Sequence, residues 1–422
     1  MTRVKRSSFA TLILLLLLLP ANPVAGCVAQ APPHIDWAVP VTGGGNAAAS
    51  EAQELMNSYA QALVEKDRGK VLSTLDAANP GFSGRQQEIF DRLAAVPFAD
   101  YRIDITSQTE TAPGTLTAKV TIASTLKESF SELPEPERAA FSLVRREDGW
   151  KLSGDVTAEA LGRKRGAQLE DFGPVEVLTG EHAIILYHPG HRRSAESVQR
   201  NIDAAFPRLV AALPGVSLPK VPVRIFDDVD QINQAFPGQW QEWTGGASRR
   251  LGGTENQGGE IIIGASQYNE MEASDYNSNM LAHELTHIAL FPKTGIKTPP
   301  FLEEGLADFV AGPEPVVLLK EKMRRGEAFS PTLRDLSRPG SYGGALLTDE
   351  AAALAYEQAD TAVSYLENRY GNESVLALLR EFKRREEDQI NQEQLVDEVF
   401  KAVLGAGWAD FEKDWRRWVV EG

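Results

Sequence analysis

Apolar residues recur at helical spacing from Ala52 to Leu75, with Leu55, Tyr59, Leu63 and Val64 on one side, which predicts a helix. Gln86–Leu93 predicts a second. The period then drops to two, first at Tyr101, Ile103 and Ile105, and again at Leu116, Ala118, Val120 and Ile122, so strands follow. Phe141–Val144 and Trp150–Leu152 flank Asp148-Gly149, a pair suited to a tight hairpin. Beyond residue 175, Ala183–Tyr187, Val223–Phe226 and Glu260–Gly264 read as strands, with a helix at about Ala195–Leu213 between the first two. Met280, Leu281, Leu285, Ile288, Ala289 and Leu290 give a buried helix. Phe301, Leu302, Leu306 and Phe309 set the phase of another, starting near Pro300, a good first-turn residue. From about 350 onward the chain reads as helices, with core positions at Val363, Leu366, Val375, Leu378, Leu379, Phe411, Trp415 and Trp418. Gly245–Gly259 and residues 328–348, which hold Pro331, Pro339 and Gly340, read as loops. A chain of 422 residues is too long for one ordinary core. The pattern predicts an α+β protein without internal repeats, in two domains: 48–165, helices followed by a curved antiparallel sheet, and 175–422, a small mixed sheet with helices.

Candidate chemistry is concentrated in the second domain. His283-Glu284-Leu285-Thr286-His287 places two histidines four apart on one helix face, close enough to hold one ion. The chain has only six histidines, and two on a buried helix need partners, which a metal supplies. Glu284 stands beside that face, where it can take a proton from metal-bound water. A third ligand would leave the fourth zinc position open, as in catalytic sites. Glu303, Glu304 and Asp308 compete for that place. Glu304 and Asp308 share a helix face, whereas Glu303 is turned about 100° from Glu304. The division that follows puts Glu304 on the metal and Asp308 behind a ligating histidine. The bland readings are a solvated Glu303 and an ordinary surface carboxylate at Asp308.

The stretch His283–His287, followed by Pro299-Pro300-Phe301-Leu302-Glu303-Glu304-Gly305-Leu306-Ala307, resembles the gluzincin metallopeptidases, and most closely the peptidase-MA-like group. The resemblance covers about residue 175 to the C-terminus and implies a gluzincin-like zinc peptidase fold: a small mixed sheet, the zinc helix and a C-terminal helical part. It implies zinc on His283, His287 and Glu304, with Glu284 as general base. Phe301 stands where tryptophan is common. The Gly-x-Met-Glu-Asn signature of related exopeptidases is missing, so nothing implies cleavage from a free N-terminus. In such folds a strand edge just before the zinc helix pairs with extended substrate, and Glu260–Gly264 is either that edge or an interior strand. An oxyanion-stabilising group falls to Tyr342, Tyr356, Tyr365 or Tyr370. Tyr356 resembles the tyrosine that opens a helix after the zinc ligands in this group, and a plain packing role is its alternative. The first domain is similar to the nuclear-transport-factor-2-like cone fold, for which a spacer or docking role is expected.

The N-terminal 26 residues carry a different message. Arg3, Lys5 and Arg6 precede an unbroken apolar run, Leu12–Leu19, too short to span a bilayer and matching an export signal. Val24-Ala25-Gly26-Cys27 then resembles the bacterial lipobox, which implies lipidation at Cys27, the only cysteine. Residues 27–47, with Pro32, Pro33, Pro40 and three consecutive glycines, read as a flexible tether. The expected address is extracytoplasmic, on the membrane through that lipid anchor. The formal charge is −16, and without the three basic residues of the signal 40 cations face 59 carboxylates, or −19. So acidic a chain will not hold a nucleic-acid backbone nonspecifically. Three functions fit: a zinc peptidase acting on peptides or proteins, a catalytically silent scaffold that binds envelope partners, and an esterase or amidase sharing the same site. Nothing in the sequence sets an oligomeric state.

Overall fold

A computed structural model describes residues 46–130, 137–162, 166–236, 246–251, 258–270, 276–312, 315–342 and 348–421. The expected signal segment, Cys27 and most of the tether lie outside them. Helix α1 (Asn46–Glu65) takes in the last two residues assigned to the tether. It buries Leu55, Tyr59 and Leu63 of the predicted stripe together with Ala52 and Met56, and leaves Val64 half-buried. The single helix expected over 52–75 is broken: Lys66 adopts a positive φ of 59°, and Asp67 caps α2 (Arg68–Thr74) by accepting from the Lys70 N–H. Helix α3 (Pro80–Arg92) follows, longer than the pattern suggested because Asn79 caps it and Pro80 opens it.

Strands β1 (Phe98–Ala112), β2 (Thr115–Leu126), β3 (Glu137–Arg146) and β4 (Gly149–Asp155) form an antiparallel meander in that order. Gly149 turns the last hairpin at a φ of 115°, a conformation that L side chains rarely adopt. Asp76 is buried beside the sheet and takes a bidentate pair from Arg146, at 2.9 and 2.7 Å, plus the Ser153 hydroxyl. The Arg146 hydrogen bond holds its carboxyl below the usual carboxylate range.

Two short helices, α4 (Thr157–Leu161) and α5 (Leu169–Phe172), lead to a second sheet. It comprises β5 (Glu176–Thr179), β6 (Ala183–Tyr187), α6 (Arg192–Ala212), β7 (Val221–Phe226), α7 (Val229–Ala235), β8 (Gly246–Leu251) and β9 (Gly258–Gly264). The strand order is β5-β6-β7-β9-β8, with β6, β7 and β9 parallel and the two outer strands antiparallel to their neighbours. Two expectations change here. Glu260–Gly264 is interior, between β7 and β8, so the reading that made it the edge strand is overturned. Part of the expected 245–259 loop is itself a strand, β8, and it is this strand that ends the sheet. The hydrogen-bond ladder to β9 decided this, and nothing local in a glycine- and arginine-rich stretch announces it.

Both faces of the sheet are covered, which is why β6 and the Ile261–Ile263 segment of β9 are apolar without alternation. Ile185, Ile225, Ile261 and Ile263 pack against helices. Ile184, Leu186, Phe226 and Ile262 pack against Leu93, Val96 and Phe98 of the N-terminal unit. Glu260 is buried, with its carboxylate between Arg224, at 3.0 Å, and Arg249. Burial pushes its pKa up, and the two guanidinium groups outweigh that and lower it.

The rest is helical: α8 (Ala265–Glu270), α9 (Tyr276–Leu290), α10 (Pro300–Ala311), α11 (Leu318–Arg325), α12 (Asp349–Tyr370), α13 (Asn372–Arg384), α14 (Gln392–Leu404) and α15 (Trp408–Glu421). Among the described residues no helix is long and apolar enough to cross a membrane.

Candidate metal centre

Helix α9 carries His283, Glu284 and His287, all three essentially without solvent exposure. It lies close against the sheet, and the contact is tight at Gly259: a Cβ there would come within 2.7–2.8 Å of Phe291 and Ile288. Helix α10 opens at Pro300 and crosses α12 at Gly305, where a Cβ would overlap the carbonyl oxygen of Ala359. That close crossing seats the preceding residue, Glu304, beneath α9.

Three side-chain atoms converge. The two histidine Nε2 atoms are 3.0 Å apart, and Glu304 Oε2 stands 3.3 Å from that of His283 and 3.5 Å from that of His287. Together they form a group able to hold a metal ion. Behind them, Asp308 Oδ1 is 2.8 Å from His283 Nδ1, the contact that its place one turn after Glu304 predicts. If Nδ1 carries the proton toward Asp308, His283 Nε2 presents a lone pair to the other two atoms. Among the described residues Glu304 Oε2 is buried without a hydrogen-bond partner. A triangle of these sides has a circumradius of about 1.9 Å, so a point roughly 2.0–2.2 Å from all three atoms lies just off their plane, at metal–ligand bonding distance. The residues fit an ion.

The electrostatics agree with that geometry. Burial alone would depress the His283 imidazolium, yet Asp308 and Glu304 together raise its pKa well above the ordinary value. Burial would raise Glu304, yet His287 and His283 hold it at about 2. The cluster therefore attracts positive charge, and a bound cation would take the place of the proton. Glu284 behaves differently: burial raises its pKa, only partly offset by the two histidines and by the Ser248 N–H, which donates to Oε2 at 2.7 Å.

Glu303 is neither a ligand nor solvated. Its carboxylate is not among the three converging atoms and stands 3.5 Å from Arg250 and 3.4 Å from Thr294. Of the four candidate tyrosines, Tyr365 packs against Tyr370, Phe411 and Trp418, in the C-terminal helices. The Tyr356 ring centre lies 6.5 Å from that of His283 and 5.4 Å from that of Tyr342. Tyr342 donates its hydroxyl to the Ala355 carbonyl, and burial with the nearby Glu304 and Asp308 charges pushes it well above the usual tyrosine range. Sequence reasoning missed Ser248 and Arg250, because both stand on the strand it took for a loop.

A family model described as the Peptidase MA superfamily matches residues 204–421. No curated protein matches the chain. Among solved structures, the chain is similar to one described as an aromatic ring hydroxylase from Novosphingobium aromaticivorans. That likeness has 21% identity over 26% of this chain and 87% of the other, with a TM-score of 0.20. A likeness at that level carries no argument about fold or chemistry.

Proposed function

This chain belongs to the Peptidase MA superfamily, and on that premise we propose that it is a membrane-anchored, extracytoplasmic zinc metallopeptidase of gluzincin type. One observation carries the reading. His283, His287 and Glu304 converge on one point at metal-bonding distance, with the buried carboxylate of Glu284 on the same helix. A silent scaffold could keep the ligands for stability, but it would have no use for a buried carboxylate beside them.

Bound zinc would supply a Lewis acid that polarises the scissile carbonyl and acidifies water. Everything else falls to side chains of this chain. Glu284 takes the proton of the attacking water and passes it to the departing amine. Asp308 fixes the His283 tautomer, so that Nε2 and not Nδ1 faces the ligand cluster. Tyr356, beside His283, is assigned the developing oxyanion. An extended peptide would lie along β8, which ends the sheet and touches Glu284 through Ser248. The first domain, read as a nuclear-transport-factor-2-like cone, is a spacer or docking module, and a lipid on Cys27 holds the protein at the membrane.

The test is metal content and turnover of the mature protein. Wild type should hold one zinc per chain, and Glu304→Ala should lose it or bind it far more weakly. Glu284→Gln should keep the zinc while losing about 10²–10⁴-fold in cleavage of a fluorogenic peptide pool. Undiminished cleavage by Glu284→Gln would remove the general-base assignment. A wild type that takes up no zinc on reconstitution would shift the reading to a binding scaffold. Labelled palmitate incorporated by the full chain but not by Cys27→Ser would test the anchor.

A further inference from the structure

Ser248 lies opposite Ile261 in the β8–β9 ladder, yet its N–H bonds Glu284 Oε2 at 2.7 Å. In an antiparallel pair every second residue turns its N–H outward, away from the neighbouring strand. Here that amide is aimed at the helix carrying the metal-centre residues. The side chain of Ser248 shares its strand face with Arg250, whose guanidinium donates to Thr294 at 2.8 Å and stands near Glu303, beside ligand Glu304. Among the described residues the buried Ser248 hydroxyl has no hydrogen-bond partner, so it is the backbone, not the side chain, that ties this residue to Glu284. A carboxylate on two methylenes has rotational freedom about its last bonds. A charge-assisted bond to one oxygen removes it and sets where the second oxygen stands.

We propose that the backbone N–H of Ser248 is a positioning group for Glu284, fixing the carboxylate against the ligand cluster and linking it to the strand on which substrate would lie. This rests on the reading of Glu284 as general base. The probe is acetohydroxamate, which chelates a bound ion and hydrogen-bonds a neighbouring carboxylate. Its binding to the zinc-loaded full chain is measured by calorimetry, for wild type, Ser248→Pro, Glu284→Ala and the double variant. Proline removes this N–H without breaking the ladder, since the amide points outward at the last strand of the sheet. Each single change should weaken binding tenfold or more, and the double variant should be no weaker than Glu284→Ala within twofold. Wild-type affinity in Ser248→Pro, or losses that add in full, would overturn the proposal.

Zinc content and thermal melting show whether Ser248→Pro folds. Should it not fold, hydrogen exchange over residues 246–251 replaces it. One amide should be slowed in wild type and exchange at least tenfold faster in Glu284→Ala, and identical exchange would overturn the proposal. Non-additive hydroxamate binding in a protein that cleaves no peptide would count against the peptidase reading alone and in favour of the Ser248–Glu284 coupling.

Discussion

The centre is built from a few buried atoms whose roles are set by their neighbours. Glu304 and Glu284 are both carboxylates without solvent, yet their proton affinities move in opposite directions. The difference is proximity: Glu304 Oε2 sits within 3.5 Å of both imidazoles, whereas Glu284 is anchored by a neutral amide. The first environment suits a metal ligand and the second a proton acceptor, in line with the roles proposed for the two. Asp308 acts one step further out. Its removal should leave the three converging atoms in place but free the His283 ring to rotate and to change tautomer. Asp308→Ala is therefore expected to weaken zinc about 10–100-fold without unfolding the protein. Competition against a chelator of known affinity measures this, and an unchanged zinc affinity would make Asp308 a packing residue only. The HExxH-like stretch and the Glu304–Asp308 spacing were legible in the sequence because helical periodicity alone puts those residues on defined faces. Ser248 was not, because its role depends on an amide direction that the sheet register sets.

At the level of elements, the centre depends on two close approaches. Helix α9 sits on β9 where Gly259 leaves room for Ile288 and Phe291, and α10 crosses α12 at Gly305. The second approach is the more exacting, since the atom that an added Cβ would meet is backbone. Gly305→Ala should push α10 off α12, displace Glu304 from the two histidines and cost roughly 1–3 kcal/mol of stability. Denaturant unfolding and a zinc titration on the same variant should show both losses together. Retained zinc affinity in a destabilised variant would separate the crossing from the placement of Glu304. The glycine is plain in the sequence, but its helical position offers no hint of what it lies against. The N-terminal helix pair shows the converse case: apolar spacing runs on from Ala52 to Leu75, and a positive φ at Lys66 with the Asp67 cap ends the helix early.

Across the whole molecule the N-terminal unit is more than an appendage. Its Leu93, Val96 and Phe98 cover Ile184, Leu186, Phe226 and Ile262 on the far side of the second sheet, and Phe130 enters the core of the C-terminal unit. Removing residues 46–165 would expose that apolar face to water. At about 25 cal/mol per Å² of apolar area, uncovering four large side chains costs several kcal/mol, a large share of a typical domain's stability. The fragment 166–422 should therefore melt lower than the full chain or aggregate on expression, as followed by thermal denaturation and light scattering. A fragment as stable as the parent would make the contact dispensable. The same layering explains why β6 and the Ile261–Ile263 segment of β9 read as unbroken apolar runs.

Some features need only the chain itself: two histidines at i and i+4 on one helix face, a carboxylate pair one turn apart, a hairpin at Asp148-Gly149 and helices from 350 onward. Each is a relation between near neighbours, fixed by backbone periodicity. The tertiary structure decided what distant segments do to one another. It made β9 interior and β8 the last strand, paired Glu303 with Arg250, and brought Tyr356 near His283 while Tyr365 packs among the C-terminal aromatics. Those outcomes depend on ladder register and helix crossing, which arise only when the whole core packs.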